Sequence, residues 1–451
     1  MISAFRAQIP AEILITDPDL VATFTRDQAD LVTGAGTPIA VAQPRTTAEV
    51  SLLLRLASQN GIPVVPRGAG SGVSGGAVAT DGCLVLSLMK MDQVLEINPG
   101  DGIAVVQPGV LNGALKRAAE PYGLTFPPDP SSFEISSVGG NLATNAGGLR
   151  CMRQGITRQC VLGIEVVLSS GRVMRLGGRT LKRRAGYDLL SLFVGSEGTL
   201  GVITEATVRL KPRVSASAVA LAVFETVEGA GRAVCTIASS RLKVSVLELM
   251  DRVTVEMTER AKGFGLDTSA PATLLVELEE VGEGDLATLE ELCRREGLRD
   301  LTTAESAQEQ DWLMNARREV YPALQSLGTT VLDDVIVPRS RIPELIDAIS
   351  RAGAAHGVTI AAFGHAGDGN FHPTAVVERG NATALAAATR AIDDIMAASI
   401  ELGGSITGEH GVGLVKRHLV ERDLDPVALE TMRAMKKLLD PTLTLNPGKA
   451  L

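Results

Sequence analysis

The sequence predicts an α+β fold divided into more than one compact unit, and three observations predict it. The chain has 451 residues, about three times a typical domain of ~150 residues, so two or three cores are expected. In its first half, short β-branched strands alternate with glycine-rich loops. At Lys211-Pro212-Arg213 the texture changes to a loose repetition of strand, helix and strand, with no low-complexity linker at the change. Hydrophobic residues at 45% and charged residues at 21% are those of an ordinary globular protein. The net charge of −9 repels phosphate backbones and anionic lipid, so neither nucleic acid nor a membrane surface is an expected partner.

Each element has a local reason. After a short N-terminal helical stretch, Thr46 and Glu49 stand at capping-box spacing. Val50, Leu53, Leu54 and Ala57 then repeat at i, i+3, i+4 and i+7 until Gly61 and Pro63, which predicts a helix of about 13 residues. Strands follow at 62–66, 83–88 and 102–107, with a helix at 112–119. Residues 161–176 read as a hairpin with Ser-Gly at its tip, and 201–210 as a β-branched strand. Beyond 213 the strands are 218–224, 244–250, 273–280, 331–338, 358–365 and 374–380, and helices fall at 228–240, 287–297, 342–357 and 382–404. That order suits an antiparallel sheet covered by helices. From Gly411 the chain reads as helical and ends in the turn-rich DPTLTLNPGKAL.

Glycine is abundant, with 47 residues, while aromatics make up 3%, so many backbone segments turn tightly or lie close to something. In Pro66-Arg67-Gly68-Ala69-Gly70-Ser71-Gly72-Val73-Ser74-Gly75-Gly76, the glycines at 70, 72 and 75 match G-x-G-x-x-G, and Asp92 follows at the spacing of a Rossmann site. A Rossmann loop must open a helix, yet a turn and a strand follow here. The loop therefore suits either a phosphate nest or a structural turn. A second segment of small residues, PPDPSSFEISSVGGNLATNAGGLR, spans 127–150, and a third is Gly195-Ser196-Glu197-Gly198-Thr199-Leu200-Gly201. Small residues let a flat ring lie against main-chain donors.

The five cysteines, Cys83, Cys151, Cys160, Cys235 and Cys293, are odd in number and widely spaced, which suggests neither a disulfide framework nor a thiolate metal site. A reducing, cytoplasmic setting is expected. The N-terminus lacks a basic stretch followed by an apolar core, and no apolar run reaches the ~18 residues of a membrane helix, so neither a signal peptide nor a span is expected.

In order along the chain, PRGAGSGVSGG, PPDP with SSVGGNLATNAGG, GSEGTLGVITEATVRLKP, FGHAGDGNFHP, GEHGVG and LNPGK resemble the FAD-dependent 2-hydroxy-acid dehydrogenases of the vanillyl-alcohol-oxidase type. That family includes cytochrome-type D-lactate dehydrogenases, FAD subunits of glycolate oxidase and D-2-hydroxyglutarate dehydrogenases. The resemblance covers nearly the whole chain. It implies a PCMH-type FAD-binding domain of two α+β subdomains at 1–212, a substrate or cap domain with a large antiparallel sheet at 213–407, and a C-terminal segment at 408–451 that completes the FAD domain and the active site. It implies FAD contacts at Pro66, Arg67, Gly68, Ala69, Gly70, Ser71, Gly72 and Gly76, with the pyrophosphate on Arg67 to Gly72. Further contacts are implied at Pro130, Ser137, Gly139, Gly140, Ala143, Thr144, Gly147 and Gly148, at Glu197, Gly201 and Ile203, and at Asn446. Some relatives attach flavin through an N-terminal histidine or cysteine; no histidine precedes residue 356 here, so non-covalent FAD is expected.

All five histidines, His356, His365, His372, His410 and His418, lie beyond residue 355. The spacing of His365 and His372 alone suits either a divalent metal or two structural histidines. The resemblance assigns His365, His372 and Glu409 to one divalent metal, and such mixed donors fit zinc, manganese, iron or cobalt. In Gly408-Glu409-His410-Gly411 an imidazole is suited to take a proton near neutral pH, and the resemblance places the family's catalytic base on His410. Trp312 to Arg317 resembles the family's W-x4-R pattern. This puts the arginine that binds the substrate carboxylate on Arg317, with Arg318 one register away. His356 and His418 match no motif and read as surface residues.

D-2-hydroxyglutarate dehydrogenases carry a lysine just before the Asp-x3-Pro strand and an asparagine two places after the second metal histidine. Leu332 and Thr374 stand at those places, which favours a monocarboxylate such as D-lactate or a larger apolar D-2-hydroxy acid. The resemblance thus implies oxidation of a D-2-hydroxy acid to the 2-keto acid by hydride transfer to flavin N5. Electrons would pass to an external quinone, cytochrome or electron-transfer flavoprotein, because the sequence carries no evident haem or iron–sulfur ligands. It also admits a homodimer. Two readings of other kinds stay open: a metallohydrolase built on His365, His372 and Glu409, and a flavin-carrying subunit with no activity of its own.

Overall fold

A computed structural model describes residues 2–29, 32, 34–214 and 216–451, and they fall into two compact units. The first comprises Met1–Gly147, Gly155–Arg213 and Glu409–Leu451; the second comprises Gly148–Gln154 and Val214–Gly408.

In the first unit, the helix Thr47–Gln59 starts on the expected capping box and buries Val50, Leu53, Leu54 and Ala57 in a core with Ala40, Val64, Leu84 and Leu86. That core lies on a four-stranded sheet in the order Leu14–Ile15, Ala40–Ala42, Leu84–Ser87, Val64–Arg67. The last two strands are parallel, and the chain passes between them through residues 68–83 without forming a helix. This is where a Rossmann fold would begin one. A second, antiparallel sheet is ordered Val94–Asn98, Ile103–Val106, Val202–Arg209, Val161–Val167, Val173–Gly177, and its last pair is the expected hairpin. The helix Asn112–Ala119 packs on it through Leu115 and Ala119.

The C-terminal stretch departs from expectation. Residues 411–416 are irregular, because Gly411 and Gly413 hold φ of 82° and 52°, and the chain becomes helical only at Val420–Asp423 and Pro426–Leu439. Its end then joins the four-stranded sheet: the Val64 N–H donates to the Thr444 carbonyl at 2.7 Å, and the Asn446 N–H to the Val64 carbonyl at 2.8 Å.

The second unit is built on an eight-stranded sheet. Its order is Leu298–Thr303, Ser217–Phe224, Ala272–Glu279, Val244–Asp251, Ile360–His365, Asn370–Val377, Thr329–Leu332, with Val335–Ile336 also paired to Asn370–Val377. Residues 331–338 read from sequence as one strand. They form two short ones, because the buried Asp333 and Asp334 interrupt the ladder. Asp334 instead accepts the Gly408 N–H at 2.6 Å and the Thr407 hydroxyl at 3.1 Å. The helices Arg252–Lys262, Ala307–Arg318 and Val320–Leu327 lie outside the sequence expectations.

Residues 148–154 belong to this second unit although the sequence reading kept them with the first. Leu149 enters a core with Val219, Val246 and Leu275, the Arg150 guanidinium donates to Glu277 at 2.8 Å, and the Gln154 amide to Glu279 at 2.9 Å. Among the described residues no helix is long and apolar enough to cross a membrane.

Candidate active site

In the first unit, three glycine-rich segments converge. A Cβ at Gly68 would overlap the Ser137 hydroxyl, and that hydroxyl caps the helix Val138–Thr144 by accepting the Gly140 N–H at 3.2 Å. This helix carries Gly139, Gly140, Ala143 and Thr144. A Cβ at Gly198 would stand 3.2 Å from Pro66, and one at Gly76 would stand 3.7 Å from the Glu197 carboxylate. Gly70 and Gly198 hold φ of 74° and 69°, a left-handed backbone that side chains disfavour. Gly139 and Gly201 are small for another reason: a Cβ there would lie 2.5 Å from Pro108 and 2.6 Å from Val166. Ile203 is buried in the strand Val202–Arg209. Gly147 ends the first stretch of this unit, and Gly148 is the first residue of the other.

Side chains tie these segments together. The Asn446 amide donates to the carbonyls of Gly76 and Glu197 at 2.9 and 2.8 Å. Lys449 directs its ammonium at the carbonyls of Gly76 and Val78 and at the Asn446 side-chain oxygen, which uses all three of its donors. Both residues therefore hold the loops through the loop carbonyls. The Glu197 carboxylate accepts the N–H groups of Val412 and Gly413 at 2.9 and 2.8 Å, and the Ser74 hydroxyl donates to the His410 carbonyl at 2.9 Å. The stretch carrying His410 is thus fastened to the glycine loops. Burial raises the Glu197 carboxyl above its ordinary range against the pull of those two N–H groups, and burial lowers Lys449 to about 8.

The loops fit the cofactor that the motifs imply. Backbone without side chains borders them, and Arg67 Nη1 is buried with no hydrogen-bond partner among the described residues. A leftover guanidinium donor in a glycine loop suits a pyrophosphate oxygen.

In the second unit, His365 ends the strand Ile360–His365, and His372 sits on Asn370–Val377 opposite Phe363. The two imidazoles are nearly perpendicular, with centroids 5.1 Å apart, and both are buried. Glu248, on Val244–Asp251, joins this pair to Arg317. Its Oε1 lies 2.7 Å from His365 Nδ1, and its Oε2 lies 2.7 Å from Arg317 Nη2. Burial works to raise the Glu248 carboxyl, but His365 and Arg317 outweigh it and hold it below the usual carboxylate range.

Arg317 ends the helix Ala307–Arg318, which the Ser306 hydroxyl caps. Its Cζ lies 4.9 Å from the Phe363 ring centroid, and its Nε is buried with no hydrogen-bond partner among the described residues. Arg318, the register alternative, is exposed. The fit to a divalent metal rests on the donor chemistry: two buried imidazoles lie side by side, and a carboxylate on Nδ1 of His365 is the partner that orients a histidine which binds an ion through its other nitrogen.

Glu409 follows Gly408 in sequence and lies in the first unit, where its Oε1 is 3.6 Å from His410 Nε2. His418 is exposed, as expected of a surface residue, whereas His356 is half-buried and bonds Asp394 at 2.7 Å. Sequence reasoning missed Glu248, Asp334 and Lys449. The one available signal for Glu248 was an acid in the middle of an apolar strand.

Comparisons with known proteins agree with this architecture. The FAD linked oxidases, C-terminal domain, family matches residues 213–450, and an FAD binding domain family matches residues 38–177. The chain is 43% identical over 91% of its length to the glycolate oxidase subunit GlcD of Bacillus subtilis (strain 168), covering 88% of that protein. It is 38% identical to the D-lactate dehydrogenase of Archaeoglobus fulgidus over 91% of both chains. The fold matches p-cresol methylhydroxylase with a TM-score of 0.85 at 17% identity, over 100% of this chain and 96% of that one. With backbone loops suited to FAD, a matching FAD binding domain and a C-terminal family match over more than half its length, the chain belongs to the FAD linked oxidases and is an FAD-linked oxidoreductase.

Proposed function

We propose that the chain oxidises a D-2-hydroxy monocarboxylate of the D-lactate type to the 2-keto acid in the cytoplasm, with non-covalent FAD on the first unit and one divalent metal on His365, His372 and Glu409. The observation that carries this reading is Arg317, a buried cation with an unfilled donor, one carboxylate away from His365. The names of the relatives, a glycolate oxidase subunit and a D-lactate dehydrogenase, support the substrate class. When bound, FAD supplies a two-electron acceptor that an external quinone, cytochrome or electron-transfer flavoprotein must reoxidise, and the metal supplies a Lewis acid.

The chain's own residues do the rest. Arg317 pairs with the substrate carboxylate. The His410 imidazole takes the hydroxyl proton, and Ser74 and Glu197 hold its backbone stretch in place. Leu332 and Thr374 face each other as register partners on adjacent strands. They bring no cation to a second carboxylate, which supports a monocarboxylate over 2-hydroxyglutarate. A metallohydrolase leaves the glycine loops of the first unit without a use.

The test is anaerobic bleaching of the flavin absorbance in purified holoprotein by D-lactate, L-lactate, glycolate and D-2-hydroxyglutarate. D-Lactate is expected to bleach faster than L-lactate or D-2-hydroxyglutarate, and a chelator to slow it. His410→Ala is expected to slow bleaching by about 10²–10⁴-fold with flavin content unchanged. A colourless protein, or a flavin that no 2-hydroxy acid bleaches, overturns the reading. Bleaching by His410→Ala at the wild-type rate removes the base assignment alone.

A further inference from the structure

Glu248 is an anomaly by composition: every residue of its strand, Val244–Asp251, is buried, and a carboxylate there is costly unless it is paired. It is paired twice, with one oxygen for each partner, and the partners come from different elements. The antiparallel register sets Leu249 opposite Gly364, so the next step along both strands brings Glu248 beside His365, whose Nδ1 lies 2.7 Å from Oε1. Arg317 arrives from the end of a helix and places Nη2 2.7 Å from Oε2. Phe363 completes the enclosure, touching the Arg317 guanidinium on one side and lying 5.6 Å, centroid to centroid, from His372.

We infer that Glu248 is a positioning residue shared by the two binding functions of the second unit. It holds the His365 proton on Nδ1, so that Nε2 presents its lone pair to a metal, and it holds the Arg317 guanidinium at the angle that leaves Nε for the substrate carboxylate. Two general facts support this. The orientation of a ligating histidine is set by the group that receives its other N–H. A guanidinium is a rigid fork, so anchoring one nitrogen aims the others. Because one rigid carboxylate serves both, neither partner can turn without releasing the other. The inference rests on the metal and substrate assignments proposed above, and its test separates the two.

Glu248→Gln is nearly isosteric, but it is neutral and keeps a single acceptor oxygen, so it cannot serve both His365 and the Arg317 charge. Zn²⁺ affinity of the purified flavoprotein is measured by competition with a chromophoric chelator, and steady-state kinetics are measured with D-lactate. The expected result is a fall in Zn²⁺ affinity of about 10–100-fold and a rise in KM larger than the loss in kcat, with the flavin spectrum and flavin content unchanged. Wild-type protein labelled with ¹⁵N-histidine gives a second reading that needs no variant. With only five histidines in the chain, the His365 signal can be assigned by His365→Gln, and it should show the neutral tautomer protonated at Nδ1. Wild-type Zn²⁺ affinity in Glu248→Gln, or a His365 protonated at Nε2, overturns the inference while leaving the proposed reaction standing. A wild type that oxidises no 2-hydroxy acid but loses Zn²⁺ affinity on Glu248→Gln overturns the reaction and leaves the metal half of the inference standing. A wild type that binds no Zn²⁺ overturns the inference.

Discussion

The two units build their sites from opposite materials. The first uses backbone: three glycine loops, left-handed at Gly70 and Gly198, tied together by Asn446, Lys449 and Glu197 through main-chain carbonyls and N–H groups. The second uses side chains set on regular strands and a helix end, with Glu248, His365, His372 and Arg317 all buried. A backbone site is sensitive to an added Cβ at its tight turns and close approaches, such as Gly68 and Gly70, but is indifferent to most charges. A side-chain site keeps its fold after small changes of shape and fails when a single charge loses its partner. The sites should therefore be separable by mutation, and each prediction below tests that separation.

The largest effect is expected in the second unit. Arg317→Ala leaves the buried Glu248 carboxylate with His365 as its one remaining partner, and removing one member of a buried pair costs about 3–5 kcal/mol. The variant should unfold at a lower urea concentration than wild type and show a KM for D-lactate raised about a hundredfold, the equivalent of ~2.7 kcal/mol. Arg317→Lys keeps the charge but not the fork, and it should recover stability more than KM. Both should purify with a full complement of flavin, measured as the ratio of flavin absorbance to protein. Loss of flavin in Arg317→Lys would end the separation of the two sites.

A smaller effect, with a pH signature, belongs to the first unit. Burial holds Lys449 at about 8 against its ordinary 10.5. Between those values the unfolded chain binds the proton and the folded chain does not, so this residue makes stability rise with pH across that window. Below pH 8 the full cost of burying the ammonium, about 3 kcal/mol, is present. Lys449→Met lacks both the ammonium and the clamp. The urea midpoint of wild type relative to Lys449→Met should therefore improve as pH rises from 8 towards 10.5. A difference that stays flat with pH would mean that Lys449 is not held as a buried cation.

The same contrast explains what the sequence disclosed. The backbone site was legible because glycine is needed at its left-handed turns and at its close approaches, so the chemistry is written in residue identity. The helix Thr47–Gln59 and the hairpin at 161–177 were legible because caps, periodicity and turn residues are local. Leu14–Ile15 and Ala40–Ala42 were not, since two or three residues hold no period and pairing alone makes them strands. His365, His372 and Arg317 stand in motifs that single them out in the sequence. Glu248 could not, because its role depends on a cross-strand neighbour 117 residues away and on a helix end. Residues 148–154 pack with the second unit for a similarly non-local reason: Arg150 and Gln154 find Glu277 and Glu279 across more than a hundred residues of chain.

The smallest expected effect also tests where the cofactor lies along the first loop. At Gly70 the demand for glycine is internal: φ is 74° and a Cβ would fall on the Arg67 guanidinium. Left-handed backbone costs a non-glycine residue about 1–2 kcal/mol, so Gly70→Ala should weaken FAD binding roughly tenfold. The bound fraction, read by fluorescence recovery on titrating FAD into the stripped protein, reports it, and Zn²⁺ affinity should stay at the wild-type value. Gly72 differs. Its backbone is not left-handed and the nearest atom a Cβ would meet is Asp27 Oδ2 at 4.0 Å, so the protein alone gives alanine room. If Gly72→Ala keeps wild-type stability yet loses FAD affinity, the group that excludes the methyl is the cofactor itself, and the main chain at 72 lies against it. If Gly72→Ala binds FAD as wild type does, the contact lies elsewhere in the loop, and the need for glycine there comes from Gly68 and Gly70.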